Sequence, residues 1–168
     1  GSGTTLQPGD FYSSNQNHTL YALWEPERAT VSFSPNGGQS APQALTKTYG
    51  EPLLLPEELP LRAGHRFLGW NTSPDGSGDS YAPGSELTAE GDLQLYAQWE
   101  PERYTLTFDE RGGANGPGQA EKIFGQELLL PDKKPTRAGY RFLGWNTRSD
   151  GTGDSYAPGA RYLAEGDA

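Results

Sequence analysis

The sequence contains no cysteine, so neither a disulfide nor a thiolate-bound zinc ion can staple it. No stretch approaches the roughly 18 consecutive apolar residues that a membrane-spanning helix needs, and membrane insertion is not expected. Basic residues are few: 13 Lys and Arg stand against 22 Asp and Glu, for a net charge of −9. They are also scattered, without a polybasic run. Nucleic acid and anionic membrane surfaces are thereby disfavoured as partners, because both draw on clustered Lys and Arg. No window of a dozen residues carries convincing helical periodicity. Histidine occurs only at His18 and His65.

Aromatic residues, glycine and repetition are what the chain does have. There are four Trp, nine Tyr and six Phe. Residues 25–93 return at 100–168 without a gap, each matched pair lying 75 positions apart. Glu25-Pro26-Glu27-Arg28 recurs as Glu100-Pro101-Glu102-Arg103, and Leu68-Gly69-Trp70-Asn71-Thr72 as Leu143-Gly144-Trp145-Asn146-Thr147. A fixed period denotes one small unit used in series. A unit of about 75 residues lies near the lower limit for a self-sufficient core, which dense aromatic packing can offset.

The match extends backward, since Pro8-Gly9 repeats as Pro83-Gly84 and Leu20-Tyr21-Ala22-Leu23-Trp24 as Leu95-Tyr96-Ala97-Gln98-Trp99. Gly1-Ser2-Gly3 reads as a cloning remnant, so a signal peptide or wall anchor would lie outside these residues. Residues 1–24 are then that remnant plus the C-terminal part of a preceding repeat. Residues 25–99 form a complete repeat, and residues 100–168 a repeat lacking its last strand. The other register, 20–94 and 95–168, stays open at this point.

Each unit reads as mainly β, with at most a short helical turn at Pro56–Leu61 or Pro131–Thr136. Ala29–Phe33 and Tyr104–Phe108 alternate with period two, as do residues 93–99, with Leu93, Leu95, Ala97 and Trp99 on one face. Phe67–Trp70 and Phe142–Trp145 form a further strand, and Leu53–Leu55 and Leu128–Leu130 a short apolar run. Turn signals separate them, among them Asn36-Gly37-Gly38, Asp75-Gly76 and Asp150-Gly151.

The order of these pieces resembles the internalin B-repeat family, also called the Listeria–Bacteroides repeat. The residues that carry the likeness are Tyr104–Phe108, Gly112-Gly113, Pro131–Pro135, Gly139-Tyr140-Arg141-Phe142-Leu143-Gly144-Trp145, the Gly-rich turn at 150–153, and the closing Leu-Tyr-Ala-x-Trp of Leu95–Trp99 and Leu20–Trp24. The first copy departs in carrying His65 for Tyr and Ala29 for the leading Tyr. The resemblance implies small β-grasp-like modules strung along secreted bacterial surface proteins, as stalk or adhesion segments.

Candidate chemistry is sparse. Asp75 and Asp79, with their copies Asp150 and Asp154, could supply carboxylates to a hard cation, but their spacing is not that of a calcium loop, and Asp-Gly makes a turn without an ion. The tryptophans read as core, because small units need large apolar side chains. Tyr81 and Tyr156, just after the Gly-rich turn, are the better candidates for a ligand-binding surface. His18 corresponds to Leu93 and His65 to Tyr140, so neither recurs, and no catalytic grouping is repeated. Recurrent charges such as Arg62, Arg66 and Glu90-Gly91-Asp92 are expected to be solvated surface.

The repeat and the absence of a recurring catalytic grouping lead us to expect a non-catalytic, cofactor-free module, and the resemblance implies that it belongs to a secreted or cell-surface bacterial protein, acting as stalk or spacer and in adhesion. The alternative is a module that itself binds carbohydrate or a host protein. A last unit short of a strand leaves an open sheet edge, which predicts head-to-tail self-association through Leu20–Trp24.

Overall fold

The structure, a computed structural model, describes residues 5–14 and 16–163; Gly1-Ser2-Gly3, read above as a cloning remnant, and the second Glu-Gly-Asp, at 165–167, lie outside them. In the first unit the strands are β1 (Arg28–Ser34), β2 (Leu45–Thr48), β3 (Leu53–Leu54), β4 (His65–Asn71), β5 (Ser80–Tyr81), β6 (Glu86–Leu87) and β7 (Leu93–Pro101). Five of them build one mixed sheet in the order β2-β1-β7-β4-β5. β7 runs through its middle, parallel to β1 (Val31 opposite Leu93, Phe33 opposite Leu95) and antiparallel to β4 (Trp70 opposite Ala97).

Alternation explains which residues turn inward. Leu95 and Ala97 of β7 are buried together with Val31 of β1, while Gln94 is exposed. β3 pairs with β6 beside the sheet, and this ribbon brings Leu55 and Leu87 into the same core. β4 needs a device to contribute both of its aromatics. Strict alternation would send Phe67 and Trp70, three positions apart, to opposite faces. A β-bulge between Phe67 and Gly69 absorbs the extra residue. Gly69 sits there at φ +144°, where a Cβ would lie 3.0 Å from the Tyr81 carbonyl oxygen, so glycine is required. Trp70 is fully buried as a result, with the rings of Phe33 and Phe67 edge-on at 5.0 and 5.1 Å.

The second unit comprises β8 (Arg103–Leu106), β9 (Ala120–Ile123), β10 (Leu128–Leu129), β11 (Trp145–Asn146), β12 (Ser155–Tyr156) and β13 (Arg161–Tyr162). They pair as three separate ribbons, β8 with β9, β10 with β13 and β11 with β12. Among the described residues no strand joins β8 to β11, the position that β7 fills between β1 and β4. The aromatic trio survives nevertheless: Phe108 and Phe142 stand edge-on to Trp145 at 4.9 and 5.0 Å.

Three expectations are corrected. The strand over Phe142–Trp145 shrinks to Trp145–Asn146, because the neighbour against which β4 is extended has no counterpart among the described residues. Leu20–Trp24 forms no strand, since nothing among the described residues pairs with it. No helical turn occurs at Pro56–Leu61 or Pro131–Thr136. Each segment carries two prolines, which donate no hydrogen bond and disfavour the α conformation in the preceding residue. Each ends instead in an isolated β-bridge, Leu61 to Gln39 and Thr136 to Ala114.

Candidate functional site

The Gly-rich turn after β4 is organised by one side chain, Asn71, which is wholly buried. Its Nδ2 donates to the carbonyls of Gly76 and Gly78, at 3.2 and 3.0 Å, and to Ser80 Oγ at 2.9 Å. Its Oδ1 accepts the backbone N–H groups of Ser73 and Gly78, at 2.8 and 3.0 Å. Asn146 repeats the arrangement, donating to Gly151, Gly153 and Ser155 and accepting from Arg148 and Gly153. Neither Asn was singled out above as a site residue, although both stand in the recurring Leu-Gly-Trp-Asn-Thr. An amide kept in both copies beside a loop rich in unpaired backbone groups was the available signal.

Asp75 lies at the tip of this turn. Its Oδ1 accepts from the hydroxyls of Ser77 and Ser73, each at 2.7 Å, and from Ser77 N–H. These hydrogen bonds, the Ser77 hydroxyl foremost, lower its pKa to about 2. Asp150 is likewise lowered, by the Thr152 N–H and then the Thr152 hydroxyl. Asp79 and Asp154 join through their backbones, their N–H groups donating to Thr72 Oγ1 and Thr147 Oγ1. Among the described residues no cluster of three or more His, Asp or Glu side chains suited to a metal ion is assembled, in either turn or elsewhere.

The two tyrosines part company. Tyr81, opposite Trp70 on β5, packs against the hydrophobic core. Tyr156, opposite Trp145, lines an open groove of 650 Å³ between β8 and β11, together with Leu106, Phe108, Phe142 and Trp145. The tryptophans also diverge. Trp99 covers the core edge and donates its indole N–H to the Pro35 carbonyl at 3.0 Å, whereas Trp24 is 91% exposed.

One recurrent charge is not solvated surface. Lys47 is buried, and its ammonium donates to the carbonyls of Thr48 and Glu51 and to Glu90 Oε1, at 3.2, 2.7 and 3.0 Å. Three protons meet three acceptors, which is what makes its burial tolerable. The Gly50 N–H, then the Lys47 ammonium, holds the Glu90 carboxyl below its ordinary range. Lys47 faces inward on β2 in register with Leu45, and Lys122 repeats it on β9. A lysine at an inward position of both copies was the signal that alternation alone did not convert into a partner.

The units meet closely. β7 ends at Pro101 and β8 begins at Arg103. The one residue between them, Glu102, donates its N–H to the Gly64 carbonyl at 2.9 Å and accepts from the Phe124 N–H at 2.9 Å. The His65 and Phe124 rings are 5.5 Å apart, edge to face, and Arg66 pairs with Glu100 at 2.6 Å.

Comparison with known proteins agrees with this repeating architecture. The protein-family model described as the Listeria-Bacteroides repeat domain matches twice, at residues 30–98 and 104–168. A protein of Evansella cellulosilytica, provisionally named a Gly-rich membrane protein, is 41% identical over 108 residues, covering 58% of this chain and 12% of the relative. A second from that organism, provisionally named a membrane protein, is 32% identical over 158 residues, covering 91% of this chain and 23% of the relative. Internalin H of Listeria monocytogenes is 29% identical over 161 residues, 88% of this chain and 27% of its own length. The chain thus spans about a quarter or less of these relatives. No solved structure matches it.

Proposed function

The chain belongs to the Listeria-Bacteroides repeat family, and on that premise we propose that it is a non-catalytic, semi-rigid spacer of a bacterial cell-surface protein, in which β-grasp-like units are laid end to end. The observation that carries this reading is the junction. A connection of one residue, hydrogen-bonded on both sides to neighbouring loops, leaves little freedom between units. The ring contact of His65 with Phe124 and the Arg66–Glu100 pair lie at the same joint. Serial units with fixed joints suit extension and spacing, whereas catalysis needs unlike groups gathered at one point.

Two finer points belong to the same proposal. The repeat is closed by its Leu-Tyr-Ala-x-Trp segment, in the register 25–99, for which the parallel pairing of β1 with β7 argues. The β-grasp likeness draws on the same pairing, with first and last long strands side by side and an antiparallel strand outside each. The cell-surface location draws on the family resemblance and on the two relatives named as membrane proteins.

Residual dipolar couplings of the whole chain test the spacer role. One alignment tensor is expected to fit the amides of both units; two unrelated tensors would mean loosely tethered beads and would overturn the proposal. Consistent binding on a glycan array, lost in Tyr156→Ala with the fold intact, would favour a carbohydrate-binding module instead.

A further inference from the structure

The path of the chain through the first unit sets how that unit meets tension. The chain enters the sheet at Arg28, the first residue of β1, and leaves it at Pro101, the last residue of β7. These two strands are adjacent and parallel, with Val31 opposite Leu93 and Ser34 opposite Tyr96. In that register the points of entry and exit lie at opposite ends of the sheet, about 36 Å apart along the strands at about 3.3 Å per residue. A pull transmitted along the chain draws β1 toward its N-terminus and β7 toward its C-terminus. Parallel neighbours drawn in those directions slide past each other, so the bonds between them are strained together. Antiparallel neighbours pulled from adjacent ends open one pair at a time.

Side chains tie the same two strands along the whole overlap and past it. Asp92 Oδ1 accepts the Thr30 N–H at 2.7 Å, and the Ser32 hydroxyl donates to the Leu93 carbonyl at 3.3 Å. Beyond the end of β1, Asn36 Nδ2 donates to the Ala97 carbonyl at 2.9 Å, and the Trp99 indole N–H to the Pro35 carbonyl at 3.0 Å. Each strand is also held on its far edge, β1 by β2 with Arg28 opposite Thr48, and β7 by β4 with His65 opposite Pro101. Neither strand can be drawn out without sliding along two neighbours.

We propose that the unit bears tension, with β1 and β7 as its clamp, so that a pull along the string is met as shear between them. This rests on the spacer reading above and adds a role to it. Spacing asks only for length and stiffness, whereas tension asks that the strands by which the chain enters and leaves grip each other. Direction separates such a clamp from general stability. The same β1 is in the opposite geometry toward β2, because that pair is antiparallel and its ends meet where the Tyr49 N–H donates to the Glu27 carbonyl at 2.9 Å.

Single-molecule force spectroscopy of the full chain tests this. The sequence has no cysteine, so handles can be attached at chosen exposed residues. Glu27→Cys with Glu102→Cys pulls along the string, and Glu27→Cys with Tyr49→Cys opens β1 from β2. At one loading rate the first pair should rupture at about three times the force of the second or more, as expected when several bonds yield together. It should do so in one step of about 220 Å, the extended length of the chain between the handles less its folded span. Asn36→Gly tolerates the left-handed backbone at this position, φ 46°, and removes a bond to β7; it should lower the first force and leave the second unchanged. Equal forces in the two directions, a weaker first direction, or gradual lengthening without a rupture step would each overturn the clamp. Residual dipolar couplings are blind to this property: one alignment tensor together with equal forces would leave the spacer reading standing and remove tension bearing alone.

Discussion

The two units are nearly the same sequence in two conditions, one with a strand through the middle of its sheet and one without such a strand among the described residues. In the first, Val31 and Trp70 are fully buried, and a single five-stranded sheet holds the unit. In the second, their counterparts Leu106 and Trp145 are only partly covered, Leu143 is 83% exposed, and three ribbons stand apart. The features local to a turn do not change. Asn146 gathers its loop as Asn71 does, and Gly144 holds φ +147° against +144° at Gly69. Local geometry is therefore written in each segment, while the core and the length of β4 depend on a segment that joins last along the chain.

The comparison can be broken most forcefully at the buried tryptophan. Trp70→Ala should cost about 3–5 kcal/mol, the usual range for a large aromatic removed from a packed core, whereas Trp145→Ala should cost clearly less, because one side of that ring already faces the groove. Urea denaturation followed by residue-resolved NMR would separate the two. Next in size come the glycines of the bulge. Gly69→Ala forces a left-handed φ on alanine and crowds the Tyr81 carbonyl, for an expected loss of about 1–3 kcal/mol; Gly144→Ala should disturb only the β11–β12 ribbon. Asn71→Ala strands the Ser73 and Gly78 amides and should destabilise by about 1–3 kcal/mol, with a smaller loss for the half-buried Asn146. The same denaturation curves read both pairs.

Smallest is a pH effect at the turn. The Asp75 pKa is lowered from 3.8 to about 2 in the folded chain. A depressed carboxyl contributes stability that is fully present above its unfolded pKa and is lost as pH falls through the folded value. Stability from this turn should therefore hold above pH 4 and fade between pH 4 and 2, and Asp75→Asn should flatten that part of the profile. Carboxyl-carbon NMR titration, with Asp150 as the paired control, would read it directly.

Much of this was legible in the chain. Period-two alternation located β1 and β7 and put Leu93, Leu95, Ala97 and Trp99 on one face, the one that meets the core, because face depends only on sequence spacing. Partners were not legible in the same way. Nothing in Leu93–Trp99 says that it lies parallel to a strand more than sixty residues earlier, and nothing in Phe142–Trp145 says that it loses its extended pairing when that neighbour is missing. Lys47 was hidden for a related reason, since its acceptors come from a turn and from Glu90, 43 positions on. The Asp-Gly turns were recognised, but the residue that organises them was Asn71, which lies upstream in the strand.

The account turns on a single claim, that the central strand decides whether this sequence builds a closed core. Hydrogen exchange of the full chain tests it most directly. The amides of Val31, Trp70 and Leu95 should exchange more slowly than those of Leu106 and Trp145 by on the order of a hundredfold or more, as expected between a cooperative core and locally opening ribbons. Equal protection at the matched positions of the two units would contradict it.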